Sequence, residues 1–287
     1  MGFSLIRGAF KYFLPNMSDP RLHLRNLETD GFCLIPGIVP QEDCASLRAR
    51  IQDIANQIRD EQALSNRVSF VPGIINHAPE LGGYVADARI IEVAEGILES
   101  TIRVSFTSAI INEAGKARGN WHADWPFNQN NACHIPSPYP DRIMHLTALL
   151  MLSPFTEANG GTLVVPGSHR TSTNPTDERM GIDPYQPYPT EFRVTGEEGT
   201  LVLFDSRLWH CPPANPSDES RVAVAIRYAP WWLNLEMLDP ESDMRKQWVE
   251  EPGLNENRVP RIPRAVFEQL ADPAKPFYRH WVERNGS

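Results

Sequence analysis

The chain of 287 residues is 41% hydrophobic and 22% charged, an ordinary globular composition, and is long enough for one large domain. A net charge of −9 and a pI near 5.4 argue against nucleic acid or an anionic membrane as the main partner. No run of about 18 apolar residues exists, so no helical membrane span is expected. The four cysteines (Cys33, Cys44, Cys133, Cys211) lack any Cys-x-x-Cys spacing, which argues against a disulfide framework and fits a reducing, cytoplasmic setting.

Met1–Leu14 is apolar and basic through Arg7 and Lys11. With no unbroken apolar core and no small-residue cleavage site, it reads as an amphipathic segment, 1–20, closed by the Pro15–Pro20 break. Residues 21–287 read as one domain with an aromatic, helical C-terminal extension. Leu22–Thr29 is a predicted short helix, and Phe32–Ile35 a strand between Gly31 and Pro36-Gly37. Gln41–Arg59 and Ala88–Glu99 carry apolar residues at helical spacing. From Thr101 the pattern changes. Ile102–Phe106 alternates, Ala109–Asn112 continues as strand, and Ile143–Leu152 is an apolar run whose flanks favour a buried strand. Thr162–Val165, Phe192–Val194, Thr200–Phe204 and Val222–Tyr228 are further short strands. Thr171–Pro189 reads as an irregular loop over an opening. Helices first and many short strands after predict a mainly β fold with flanking helices (α+β), a β-sandwich or jelly roll.

His122 and Asp124 stand two apart, so an extended backbone puts both on one face. Alone, this spacing is weak. His210 follows a later strand that a jelly roll can bring against the first pair, and Arg221 follows eleven residues on. Two imidazoles and one carboxylate suit Fe(II) with open coordination positions. The same three ligands would serve a zinc hydrolase, and a non-catalytic metabolite-binding jelly roll is a third possibility. A buried Arg221 needs an anion, and its fork suits the distal carboxylate of a small diacid.

Asn159-Gly160-Gly161-Thr162-Leu163-Val164-Val165-Pro166-Gly167-Ser168-His169 resembles the N-G-x-L-x-x-x-P-G-S-H segment of the phytanoyl-CoA dioxygenase family. The His-x-Asp pair, the later His, the Arg after it and the opening Asp30-Gly31-Phe32…Pro36-Gly37 occur in the family's order, so the likeness covers roughly residues 25–230. The resemblance implies a double-stranded β-helix (jelly roll, cupin-like). It also implies an Fe(II)- and 2-oxoglutarate-dependent dioxygenase that consumes O2 and releases succinate and CO2.

It carries the iron ligands over to His122, Asp124 and His210, and the co-substrate carboxylate to Arg221. Leu146, Thr162 and Asn112 are further candidate contacts of 2-oxoglutarate. Many members have Ser or Thr where this chain has Pro212. Related halogenases replace the carboxylate ligand with Ala or Gly, so Asp124 favours hydroxylation. Trp125, Phe127, Asn128, Trp209 and Trp231 are candidates for contact with a small polar metabolite or natural product. Lys116, Arg118 and Arg142 could meet an anionic group. The expected assembly is a monomer or homodimer.

Overall fold

The computed structural model describes residues 19–61, 69–124, 141–176, 181–253 and 257–284. Most of the predicted segment 1–20 lies outside them. Helix α1 (Pro20–Thr29) begins where the Asp19 carboxylate accepts the Arg21 N–H, with proline in the first turn where no intrahelical donor is lost. Strand β1 (Phe32–Ile35) follows, then α2 (Gln41–Glu61), the short β2 (Phe70–Pro72), α3 (Gly82–Val85) and α4 (Ala88–Leu98). In α4 the residues at helical spacing, Ile90, Val93, Ala94 and Leu98, are the buried ones.

The strands then run as β3 (Ile102–Asn112), β4 (Leu146–Met151), β5 (Leu163–Val164), β6 (Phe192–Arg193), β7 (Leu201–Asp205), β8 (His210–Cys211) and β9 (Arg221–Pro230). A six-stranded antiparallel sheet has the order β1-β7-β4-β9-β3-β2, and a three-stranded one the order β6-β5-β8. The two sheets share an inner core of Leu149, Met151, Phe155, Val164, Val202, Phe204 and Ala225. This is the expected jelly roll.

The other face of the large sheet, with Leu150, Val224 and Ile226, packs on α2 and α4 through Leu47, Ile51, Ile90 and Val93. Each such side chain stabilises by about 1.5–3 kcal/mol when fully buried, so the helical layer belongs to the fold and is no appendage. Among the described residues, the C-terminal part carries the short α-helices α5 (Asp243–Arg245), α6 (Arg264–Gln269) and α7 (Lys275–Tyr278), with a 3-10 turn, Arg279–Trp281, after them. They bring Tyr278 to the Thr107 hydroxyl and the Trp281 indole to the Val104 carbonyl, covering the part of β3 that β2 leaves bare. No described helix is long and apolar enough to cross a membrane.

Candidate active site

Backbone pairing brings the distant candidate ligands together. His122 and His210 exchange backbone hydrogen bonds at 3.0 and 2.9 Å, and the Asp124 N–H donates to Ser206 O. Strand alternation then sorts the side chains. Trp121, Ala123, Trp209 and Cys211 pack on the outside of the small sheet, while His122, Asp124 and His210 turn inward, His210 against Phe204. One donor atom from each of the three lies within 4.8 Å of the others.

Each histidine Nδ1 meets a backbone carbonyl, Asn120 O at 3.1 Å and Leu208 O at 3.0 Å. Donation there leaves each Nε2 as the free ligand nitrogen. Burial pushes the His210 pKa down to about 4, and His122 acts in the same direction. For Asp124, burial alone would raise the pKa. Arg227, then His210, His122 and Thr147, outweigh it and hold the carboxyl well below the usual range.

The Gly-Gly and Pro-Gly turns explain how His210 is held. A Cβ on Gly161 would lie 2.4 Å from Val194 O, so only glycine lets β5 approach its neighbour this closely. After Pro166, Ser168 accepts the Trp209 N–H at 2.9 Å, fixing the chain just before β8. His169 packs against Gly31, with Nε2 3.3 Å from Glu28 O, as a structural residue away from the three ligands.

Arg221 opens β9, faces inward and is 4% exposed. Among the described residues no carboxylate pairs with it. Its Nη1 donates to Thr162 Oγ1 at 3.3 Å, its guanidinium lies over the Phe155 ring at 4.0 Å, and its Nε has no partner. Burial, with Arg193 adding to it, lowers its pKa to about 9. Asn112 is its cross-strand partner and leaves a buried Oδ1 unpartnered; Ser108 Oγ, on the same face of β3, is unpartnered too. A buried cation with an idle Nε donor and no described carboxylate partner fits a small dicarboxylate. The three ligands fit one Fe(II) ion.

Several sequence expectations change. Leu146 does not face this interior: it is fully buried in the helix-side core. Its neighbours Thr147 and Leu149, paired with Arg227 and Ala225, carry the inner face. Trp209 is 2% exposed on the outside of the small sheet, where its indole donates to Thr173 O; with Trp121, which donates to Gln186 O, it pins the described parts of the 171–189 loop. It offers no surface to a substrate. Trp231 is 62% exposed beyond the end of β9. Trp125, Phe127 and Asn128 lie outside the described residues. Arg118 pairs with Glu191 at 2.8 Å and Arg142 with Glu99, so neither is idle.

Sequence reading also missed Arg227, whose Nη2 donates to Asp124 Oδ1 at 2.6 Å. Its even spacing from Arg221 on one strand was the available signal. Thr147 donates to Asp124 Oδ2 at 3.0 Å, and behind it stand Ser206, His145 and Ser105. His145 is buried in this group and is not one of the three clustered candidate ligands.

Comparison with known proteins identifies the family and the fold. Residues 27–223 match the family model described as phytanoyl-CoA dioxygenase. Ectoine dioxygenase from Bordetella parapertussis is 26% identical over 232 residues, covering 71% of this chain and 73% of its own. HygX from Streptomyces hygroscopicus, solved with nickel and 2-oxoglutarate, superposes with a TM-score of 0.57 at 18% identity, over 75% of this chain and 88% of its own. EctD from S. alaskensis, solved with 2-oxoglutarate and 5-hydroxyectoine, gives 0.57 at 23% identity, over 72% and 74%. With its double-stranded β-helix and a match over 27–223, the chain belongs to the phytanoyl-CoA dioxygenase family of Fe(II)- and 2-oxoglutarate-dependent dioxygenases, with O2 as co-substrate.

Proposed function

We propose that this protein hydroxylates a C–H bond of a small polar metabolite or natural product, releasing succinate and CO2. The observation that carries the reading is the inward-facing His122, Asp124 and His210 cluster with a buried Arg221 that no described carboxylate satisfies. His122 and His210 present Nε2, and Asp124 presents Oδ2, 3.7 Å from His210 Nε2. Arg221 takes the distal carboxylate of 2-oxoglutarate, with Thr162 fixing its guanidinium and Asn112 beside it. Bound iron supplies oxidation of a C–H bond, coupled to decarboxylation of 2-oxoglutarate.

The protein's own work is geometric. It orients three ligands, supplies one buried cation and keeps water from the inner core. A zinc hydrolase would have no use for Arg221, and the family sets the non-catalytic reading aside. The named relatives support a small polar substrate: one is an ectoine dioxygenase, and EctD was solved with 5-hydroxyectoine. At 26% identity they support the class of chemistry and not ectoine itself.

Purified, iron-loaded protein should convert 2-oxoglutarate to succinate only with Fe(II) and O2, and His122→Ala and Asp124→Ala should lose this conversion. Persistent turnover in both variants would sink the assignment. A mass-spectrometric screen for metabolites that gain one oxygen atom then identifies the substrate.

A further inference from the structure

Behind Asp124 lies a line of buried polar side chains. Thr147 Oγ1 is 3.0 Å from Asp124 Oδ2 and 2.8 Å from Ser206 Oγ. Ser206 Oγ is 2.7 Å from His145 Nδ1, and His145 Nε2 is 2.8 Å from Ser105 Oγ. Ser105 is the extra residue of a bulge in β3, where the register with β9 slips between Val104 and Phe106. The bulge places its hydroxyl on His145 and 3.3 Å from the Arg227 carbonyl. The Arg227 guanidinium returns to Asp124 Oδ1 at 2.6 Å, lying over the Phe106 ring.

We propose that this relay, with Arg227 at its other end, fixes Asp124 as a one-oxygen metal ligand, so that Arg227, Thr147, Ser206, His145 and Ser105 are positioning residues for the iron. The proposal rests on the reading of His122, Asp124 and His210 as the iron site.

The direction of every bond follows from the carboxylate. An ionised carboxylate only accepts, so the Thr147 proton goes to Asp124. Thr147 has one proton, so Ser206 must donate to Thr147. Ser206 then accepts, and the donor is His145 Nδ1–H. A neutral imidazole with its proton there carries the lone pair on Nε2, which takes the Ser105 proton. The opposite pattern, with Ser105 donating to Arg227 O and His145 protonated on Nε2, leaves Thr147 and Ser206 lone pair to lone pair at 2.8 Å. Such a contact is not tolerated in a buried site. All donors thus point at Oδ2, the oxygen nearer His210, while Arg227 occupies Oδ1.

The first test reads the wild-type chain. With 15N-labelled histidine at neutral pH, NMR should show His145 as the Nδ1–H tautomer, its signals identified by their loss in His145→Gln. An Nε2–H tautomer overturns the proposal, and a variant that fails to fold elsewhere does not touch this result. The second uses Co(II) alone as the metal probe. Thr147→Val should weaken Co(II) binding about tenfold, as loss of a ligand's hydrogen-bond partner typically does, and Thr147→Ser should restore it. Arg227→Met frees Oδ1 and should change the visible absorption of the bound Co(II). Affinity within about twofold of wild type in Thr147→Val, or an unchanged spectrum in Arg227→Met, overturns the relay. If those two variants match wild type while His122→Ala loses Co(II), the relay alone fails. If His122→Ala binds Co(II) as well as wild type, the iron-site reading fails instead.

Discussion

At the scale of single residues, the site is organised by two arginines on one face of β9, Arg221 buried and Arg227 partly buried. Arg227 already has its anion in Asp124; among the described residues Arg221 meets the neutral Thr162 hydroxyl and the Phe155 ring and no carboxylate. Holding a cation in that environment is costly until an anion arrives, and removing one partner of a buried charged pair costs about 2–5 kcal/mol. Arg221→Met should therefore raise the KM for 2-oxoglutarate at least ~30-fold, with a smaller effect on kcat. Arg221→Lys should recover only part of this, because an ammonium keeps the charge but loses the planar fork. Succinate formation against 2-oxoglutarate concentration checks both, and a KM unchanged in Arg221→Met would remove the carboxylate from this position. The clustering of His122, Asp124 and His210 and the inward face of Arg221 were legible in the sequence, because strand alternation and the family motif point to them. Thr147 was not. Inside the apolar run Ile143–Leu152, alternation alone does not say which set of residues faces in, and the likeness pointed to Leu146 when the inner face belonged to its neighbour.

At the scale of elements, the sheets meet at places where backbone must pass backbone. Gly199 precedes β7 with φ 82°, and a Cβ there would stand 2.1 Å from Val39 O, the turn it anchors through two hydrogen bonds. Gly37 also has a positive φ, 65°, but a Cβ there meets nothing within 4 Å. The pair separates strain from collision. Gly37→Ala should cost about 1–2 kcal/mol from conformation alone. Gly199→Ala adds a backbone displacement and should cost roughly 3 kcal/mol or more. For a chain of this size that is a Tm loss of about 2–8 °C against about 6–12 °C or more, read by circular dichroism. Equal losses would mean that the turn yields and the close approach is not structural. The longer elements were legible from periodicity, as α4 and β9 show. Strand β8 was not, since two residues carry no period. Nor was the bulge at Ser105, because a local register slip leaves alternation on either side intact.

At the scale of the whole molecule, the fold takes titratable groups wholly or partly out of solvent, and that gives its stability a pH dependence of definite sign. Burial first, then Arg227, pushes the His145 pKa down to about 3; burial first, then Arg103, does the same for His280, to about 3. In the unfolded chain both titrate near 6.5. Between those values the unfolded state binds protons that the folded state refuses. Stability is therefore full above about pH 6.5 and falls as the pH drops toward 3, by up to ~1.4 kcal/mol per pH unit for each such histidine. Carboxylates protonate lower, so the interval from about 6.5 to 4.5 belongs to the histidines. Denaturant unfolding of the metal-free protein across that interval should show the slope. His145→Gln, which keeps hydrogen-bonding capacity and cannot titrate, should lose only its own share, because His280 and, in the metal-free protein, His210 and His169 are lowered as well and contribute the rest. A flat profile in the wild-type chain over that interval would mean that these imidazoles reach water, and the dry interior behind Asp124 would have to be given up.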